Sequence, residues 1–147
     1  MENVRIVQQK HWHCVPACLE SLFFDNDIGI NKTQDEIAQD NPDVFRAGVL
    51  VDFLKLGNVF KRYGVEVDFI TCGEKEYDFE KLKQIAANPN NKILLFWRCR
   101  TKHCVRFVGI RQNGDIEVMD PQVGKIVMYD TRKQAELDLG IVYFAKK

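Results

Sequence analysis

QQKHWHCVPACLESLFF, residues 8–24, decides how the rest of the chain is read. Val15, Cys18, Leu19, Leu22 and Phe23 recur at the three-and-four spacing of one face of an amphipathic helix. Pro16 fits in the first turn, where its missing N–H has no intrahelical partner to lose. The pattern predicts a buried helix running to about Asp25, with Cys14 at its N-terminus or one residue before it. The positive end of a helix dipole favours a thiolate, the nucleophilic form of cysteine. The plainer reading of Cys14 is a structural thiol in an ordinary core helix, and this stretch alone leaves both open.

The 147 residues suit one compact domain, 1–147, with a single sizeable core. At 46% hydrophobic and 29% charged, the chain is globular and not disordered. Lys plus Arg equals Asp plus Glu at 21 each, so no global basic field points to nucleic acid or an anionic membrane. The start, MENVRIVQQKHWHC, lacks the apolar core of a signal peptide, and no apolar run approaches a membrane span. Cys14, Cys18, Cys72, Cys99 and Cys104 make an odd count, which points to free thiols in a reduced, cytoplasmic setting. Non-classical secretion as an effector stays open, and the sequence carries no signal for an oligomeric state.

Outward from the first helix, VRIV (4–7) is an extended lead-in, and the loop NDIGINKT is punctuated by Gly29. Thr33, with Glu36 three residues on, is a capping box opening a short helix that Asn41-Pro42 ends. A longer helix is predicted over 47–63 from Leu50, Phe53, Leu54 and Phe60, with Gly64 as its C-cap and Gly57 weakening it. Strands then dominate: 65–70 by alternation, a buried run over 92–98, 103–110, 115–120, 125–129 and a last one at 140–145. Helices are predicted at 78–87, capped by Asp78, and near 131–137. Asn113-Gly114 is the strongest hairpin signal and pairs 103–110 with 115–120. Helices first and an antiparallel sheet after give an α+β class.

A cysteine nucleophile needs a base, and the base needs an orienter. His103 opens the strand HCVRFVGI, and Asp120 ends the strand that the hairpin lays beside it. The two stand at matching ends of an antiparallel pair, which is the placement a Cys–His–Asp set requires. The developing oxyanion needs a backbone N–H and a side-chain amide; the N–H of Cys14 and the amide of Gln8 are the candidates, with Gln9 the alternative.

Gln8, CVPACLESLF from Cys14, HCVRFVGI from His103 and the turn Asp120-Pro121-Gln122-Val123-Gly124 together resemble the papain-like cysteine peptidases. The nearest branch is the bacteriocin-processing, double-glycine leader peptidases, whose pattern is a glutamine, DCGxACLxM, a histidine opening an apolar strand, and DPxxG. The resemblance covers most of the chain in the right order. It implies a papain-like fold, an N-terminal helical lobe packed on a C-terminal antiparallel sheet. It implies Cys14 as nucleophile, His103 as base, Asp120 as orienter and Gln8 as oxyanion donor. It implies a peptide or protein substrate, often cut after Gly-Gly, and no cofactor. Two positions depart: His13 stands where the family has Asp, and Val15 where it has Gly. A β-branched residue there would narrow the site near the scissile bond.

Cys18, one turn on, is expected in the core, and His11 and His13 on the surface or cleft rim. Zinc is the rival for His11, His13, Cys14 and Cys18, but the paired spacing of a zinc site is missing, so no metal is assigned. Trp12 and Trp97 suit packing or a cleft wall. Arg98, Arg100, Lys102, Arg106 and Arg111 read as a solvated basic face. The alternatives to a peptidase are a catalytically altered relative that binds a peptide or protein, and a deamidase or acyltransferase, since all of these enzymes pass through a thioester.

Overall fold

The computed structural model describes residues 5–10, 12–25, 28–47, 51, 55–71, 75–97, 103–129 and 139–145. The first helix, α1 (Cys14–Phe23), begins on Cys14 itself, with His13 as N-cap and the first helical bond running from Ala17 N–H to His13 C=O at 2.8 Å. Val15 to Phe23 are all buried, so α1 is enclosed on every side instead of showing one face to water. One reason is α2 (Gln34–Asp40), which packs along it. The expected capping box is present there: Thr33 Oγ1 accepts from Glu36 N–H and Glu36 Oε1 accepts from Thr33 N–H, both at 3.2 Å.

The third helix, α3, is Leu56–Arg62 and not the predicted 47–63; Ala47 lies in a turn and Val51 is not helical. Leu56, Val59 and Phe60 keep the helical period, but no side chain caps the start at Lys55. A hydrophobic period without a cap does not locate a helix end. Leu50, Phe53 and Leu54 lie outside the described residues, as does the helix expected at 131–137.

The remaining elements are β1 (Asp68–Thr71), α4 (Lys75–Ala86), β2 (Asn91–Trp97), β3 (Cys104–Ile110), β4 (Ile116–Asp120), β5 (Lys125–Tyr129) and β6 (Leu139–Ala145). Asp78 sits inside the start of α4 and does not cap it. An acidic residue favours the whole first turn of a helix, so it marks a start only to within a turn. The strands form a six-stranded sheet, β1-β6-β2-β3-β4-β5, with every pairing antiparallel. The architecture is α+β, as expected.

The sheet is covered on both faces, which explains the unbroken apolar run of β2. Leu94, Phe96, Cys104, Met119 and Phe144 pack with α1, α2 and α3; Ile93, Leu95, Val105, Val118 and Ile141 pack with Leu82 and Ile85 of α4. A bulge between Phe107 and Gly109 shifts the β3–β4 register and returns Ile110 to the α4 side, opposite Ile116. The hairpin that follows turns at Gly114, φ +92°, with Arg111 N–H bonded to Asp115 C=O at 2.8 Å.

Arg106 is not part of a solvated basic face. It is buried, donates to Ser21 C=O (2.9 Å), Ser21 Oγ (3.1 Å) and Asp25 Oδ1 (3.0 Å), and its second terminal nitrogen meets Asp25 Oδ2. Lys92 reaches the same carboxylate at 3.4 Å. This pair pins the C-terminal end of α1 to β3. Arg111 does face solvent, paired with Glu117 at 2.8 Å, and Arg98, Arg100 and Lys102 lie outside the described residues.

Candidate active site

Strand pairing brings His103 and Asp120 together. His103 directly precedes β3, Asp120 closes β4, and Nε2 lies 2.7 Å from Asp120 Oδ1. Asp120 is held from other directions as well: Gln122 N–H donates to Oδ1 at 2.9 Å, and Tyr129 Oη donates to Oδ2 at 2.9 Å. Burial works against the Asp120 charge, yet the His103, Gln122 and Tyr129 hydrogen bonds outweigh it and hold its pKa below the usual carboxylate value. Tyr129, pushed up by burial and by this carboxylate, keeps its proton and stays a donor.

The half-buried Cys14 thiol lies near enough to His103 to act on its charge. With Nε2 bonded to Asp120, Nδ1 is the ring nitrogen that Asp120 leaves free to face it. Burial pulls the His103 pKa down, but Asp120 and Cys14 raise it more, and it ends at about 9. The folded value lies above the unfolded one, so this contribution to stability is complete below pH about 6.5 and disappears as pH rises through about 9. Melting temperature should therefore fall across that window, and His103→Gln should flatten the fall; a thermal melt series in pH checks it.

Cys18 and Cys104 are fully buried between α1 and β3, with the Cys18 thiol 3.5 Å from Cys104 C=O. Burial pushes both thiols up. Among the described cysteines only Cys14 retains solvent exposure. Cys18 is core, as expected; Cys72 and Cys99, like His11, lie outside the described residues.

The turn after Asp120 carries Gln8. Gln8 N–H donates to Pro121 C=O at 2.7 Å, and its side-chain Nε2 donates to Lys10 C=O at 3.2 Å. Gly124 closes the turn at φ +65°, and a Cβ there would stand 3.0 Å from Val7 Cβ. Gly124→Ala should cost about 1–2 kcal/mol from the left-handed backbone alone, and more if Val7 must move; a urea midpoint measures it.

His13 is not a rim residue: it is 0% exposed, edge-on to Trp12 with ring centroids 4.3 Å apart. Its Nδ1 lies 2.9 Å from Oε1 of Gln34, a residue the sequence reading passed over. Val15 is also turned into the core, 1% exposed, so its bulk is taken up in packing and not at the surface beside Cys14. Both departures from the family pattern therefore point inward. Among the described residues, no group of three or more His, Cys, Asp and Glu side chains is placed to hold a metal ion, and no helix is long and apolar enough to cross a membrane.

No protein-family model and no curated protein matches the sequence. Among solved structures, the peptidase domain of Streptococcus ComA, a bi-functional ABC transporter involved in a quorum-sensing pathway, superposes with a TM-score of 0.69. The match covers 98% of this chain and 99% of that one at 15% identity. The chain has the ComA peptidase-domain fold. At that identity the likeness is one of fold, and the chemistry rests on the side chains described above. Tyr129 and Gln34 had no signal of their own in the sequence: Tyr129 reaches Asp120 across neighbouring strands, and Gln34, inside the capping box, reaches Val7, Gln9 and His13 more than 20 residues away. Their positions could be found only from the packed strands and helices.

Proposed function

We propose that the chain is a papain-like cysteine peptidase acting on a peptide or protein, with Cys14 as nucleophile, His103 as base and acid, Asp120 as orienter and Gln8 as oxyanion donor. The observation that carries this is the His103–Asp120 bond of 2.7 Å beside the start of α1, where the part-exposed Cys14 thiol acts on the His103 imidazole. Its occurrence on the ComA peptidase fold supports the same reading.

The Cys14 thiolate, paired with the His103 imidazolium, adds to the scissile carbonyl carbon. The negative oxygen is met by the Cys14 N–H and the Gln8 amide, donors fixed before the charge develops. The Gln8 bond to Lys10 C=O holds that amide in place. His103 gives its proton to the departing amine, the acyl group stays on sulfur as a thioester, and water then hydrolyses it with His103 as base. Asp120 keeps the imidazole oriented and stabilises its positive form.

Incubation with a mixture of synthetic peptides, double-glycine leader sequences among them, tests the reading by mass spectrometry. Cleavage lost in Cys14→Ala supports it. A gain of about 1 Da on glutamine, or a new isopeptide bond, would replace it with a deamidase or an acyltransferase. Tight binding without turnover would replace it with a peptide-binding module. The alkaline limb is set by His103: turnover should fall as pH rises through about 9, where the proton needed by the leaving amine is lost.

A further inference from the structure

The segment from Val7 to His13 carries one proposed oxyanion donor and leads into the other, and its described residues belong to no helix or strand. Its described backbone bonds are Gln8 N–H to Pro121 C=O, His13 N–H to Lys10 C=O at 3.0 Å, and the helix-opening Ala17 N–H to His13 C=O. What braces it is Gln34, the first residue of α2, which is 2% exposed. Gln34 Nε2 donates to Val7 C=O at 2.8 Å, and Oε1 accepts from Gln9 N–H at 2.8 Å and from His13 Nδ1 at 2.9 Å. Val7 and Gln9 bracket Gln8, and His13 is the residue before Cys14. One amide thus grips both neighbours of the proposed oxyanion donor and the residue that opens the nucleophile's helix. The brace is itself anchored, since Gln34 N–H donates to Glu20 Oε1 of α1 at 2.6 Å.

We infer that Gln34 is a positioning residue that holds the Gln8 amide in register with the Cys14 N–H, so that both donors meet the same oxygen; this rests on the peptidase reading above. A buried amide used on three backbone or ring groups resists displacement, because each broken bond leaves a buried polar atom unpaired. Oxyanion stabilisation needs such rigidity, since donors act only when already in place as charge develops. His13 is fitted to this brace. Its Nδ1–H supplies the donor that Gln34 Oε1 accepts, whereas an aspartate at 13 would set a second acceptor against it.

Two small probes separate positioning from nucleophilicity. Iodoacetamide reads the thiolate alone: sulfur displaces iodide and no oxyanion forms. With p-nitrophenyl acetate, sulfur adds to the carbonyl, the oxyanion forms, and p-nitrophenolate leaves to give the acetyl thioester. Gln34→Leu should slow acetylation of Cys14 roughly 10- to 100-fold while changing alkylation by less than about threefold. Gln8→Ala should show the same selective loss, and Gln34→Leu in the Gln8→Ala background should cost nothing further, as expected when one residue acts through the other. Losses that multiply in the double variant, or acetylation and alkylation falling together, overturn the assignment. Gln34→Glu covers the case in which Gln34→Leu does not fold: it keeps the acceptor for Gln9 and His13, loses the donor to Val7, and should again slow acetylation selectively; unchanged acetylation overturns the assignment. If Gln8→Ala leaves acetylation untouched, Gln8 is not the oxyanion donor and this assignment is overturned; if wild-type Cys14 alkylates no faster than an ordinary exposed thiol, the peptidase reading itself fails, and this assignment with it.

Discussion

Alanine in place of Cys14 is expected to lower peptide turnover by about 10⁶-fold, to the background that binding and the remaining donors support. The size follows from the proposed mechanism, in which every covalent step passes through this sulfur and no other described thiol can replace it. Cys18 and Cys104 are fully buried, and burial keeps both protonated. The same argument gives a chemical signature. One equivalent of iodoacetamide near neutral pH should label Cys14 first, and peptide mapping should find Cys18 and Cys104 labelled only after denaturation. Residual turnover in Cys14→Ala close to wild type would remove Cys14 from the mechanism. The variant should still fold, losing little packing and only the part of the His103 stabilisation that Cys14 supplies.

Asp25→Ala is expected to destabilise the fold by about 3–5 kcal/mol, the range for removing one partner of a buried ion pair. In a chain of this length that is a fall in melting temperature of roughly 10 °C. The reason is what stays behind. Arg106 is 3% exposed, and without Asp25 its charge keeps only the Ser21 oxygens. Replacing both members, Asp25→Leu with Arg106→Met, should recover much of the loss, because no unpaired charge is then left in the core. Lys92 must be counted, since it also reaches Asp25 at 3.4 Å. The double variant leaves that lysine at the edge of the core with a long stem able to reach water. Thermal and urea denaturation of the two single variants and the double one gives the comparison; equal losses in all would mean the pair contributes through packing and not through charge.

What the sequence by itself determined is whatever repeats along the chain or is closed by a short turn. The apolar period after Cys14 placed the start of α1 to within a residue, the Thr33–Glu36 box placed α2, and apolar runs between turn signals placed the strands, because burial imposes a pattern on the sequence. The Asn113-Gly114 hairpin brought the far ends of β3 and β4 side by side, while the bulge between Phe107 and Gly109, which no local pattern marks, set the final register. Only the tertiary structure decided the contacts that cross the fold. His13 and Val15 turned inward, Arg106 left the surface for Asp25, and Gln34, Tyr129 and α4 took positions that no local pattern encodes. A buried polar group is fixed by partners on other elements of the fold, so its immediate neighbours in sequence carry no trace of them.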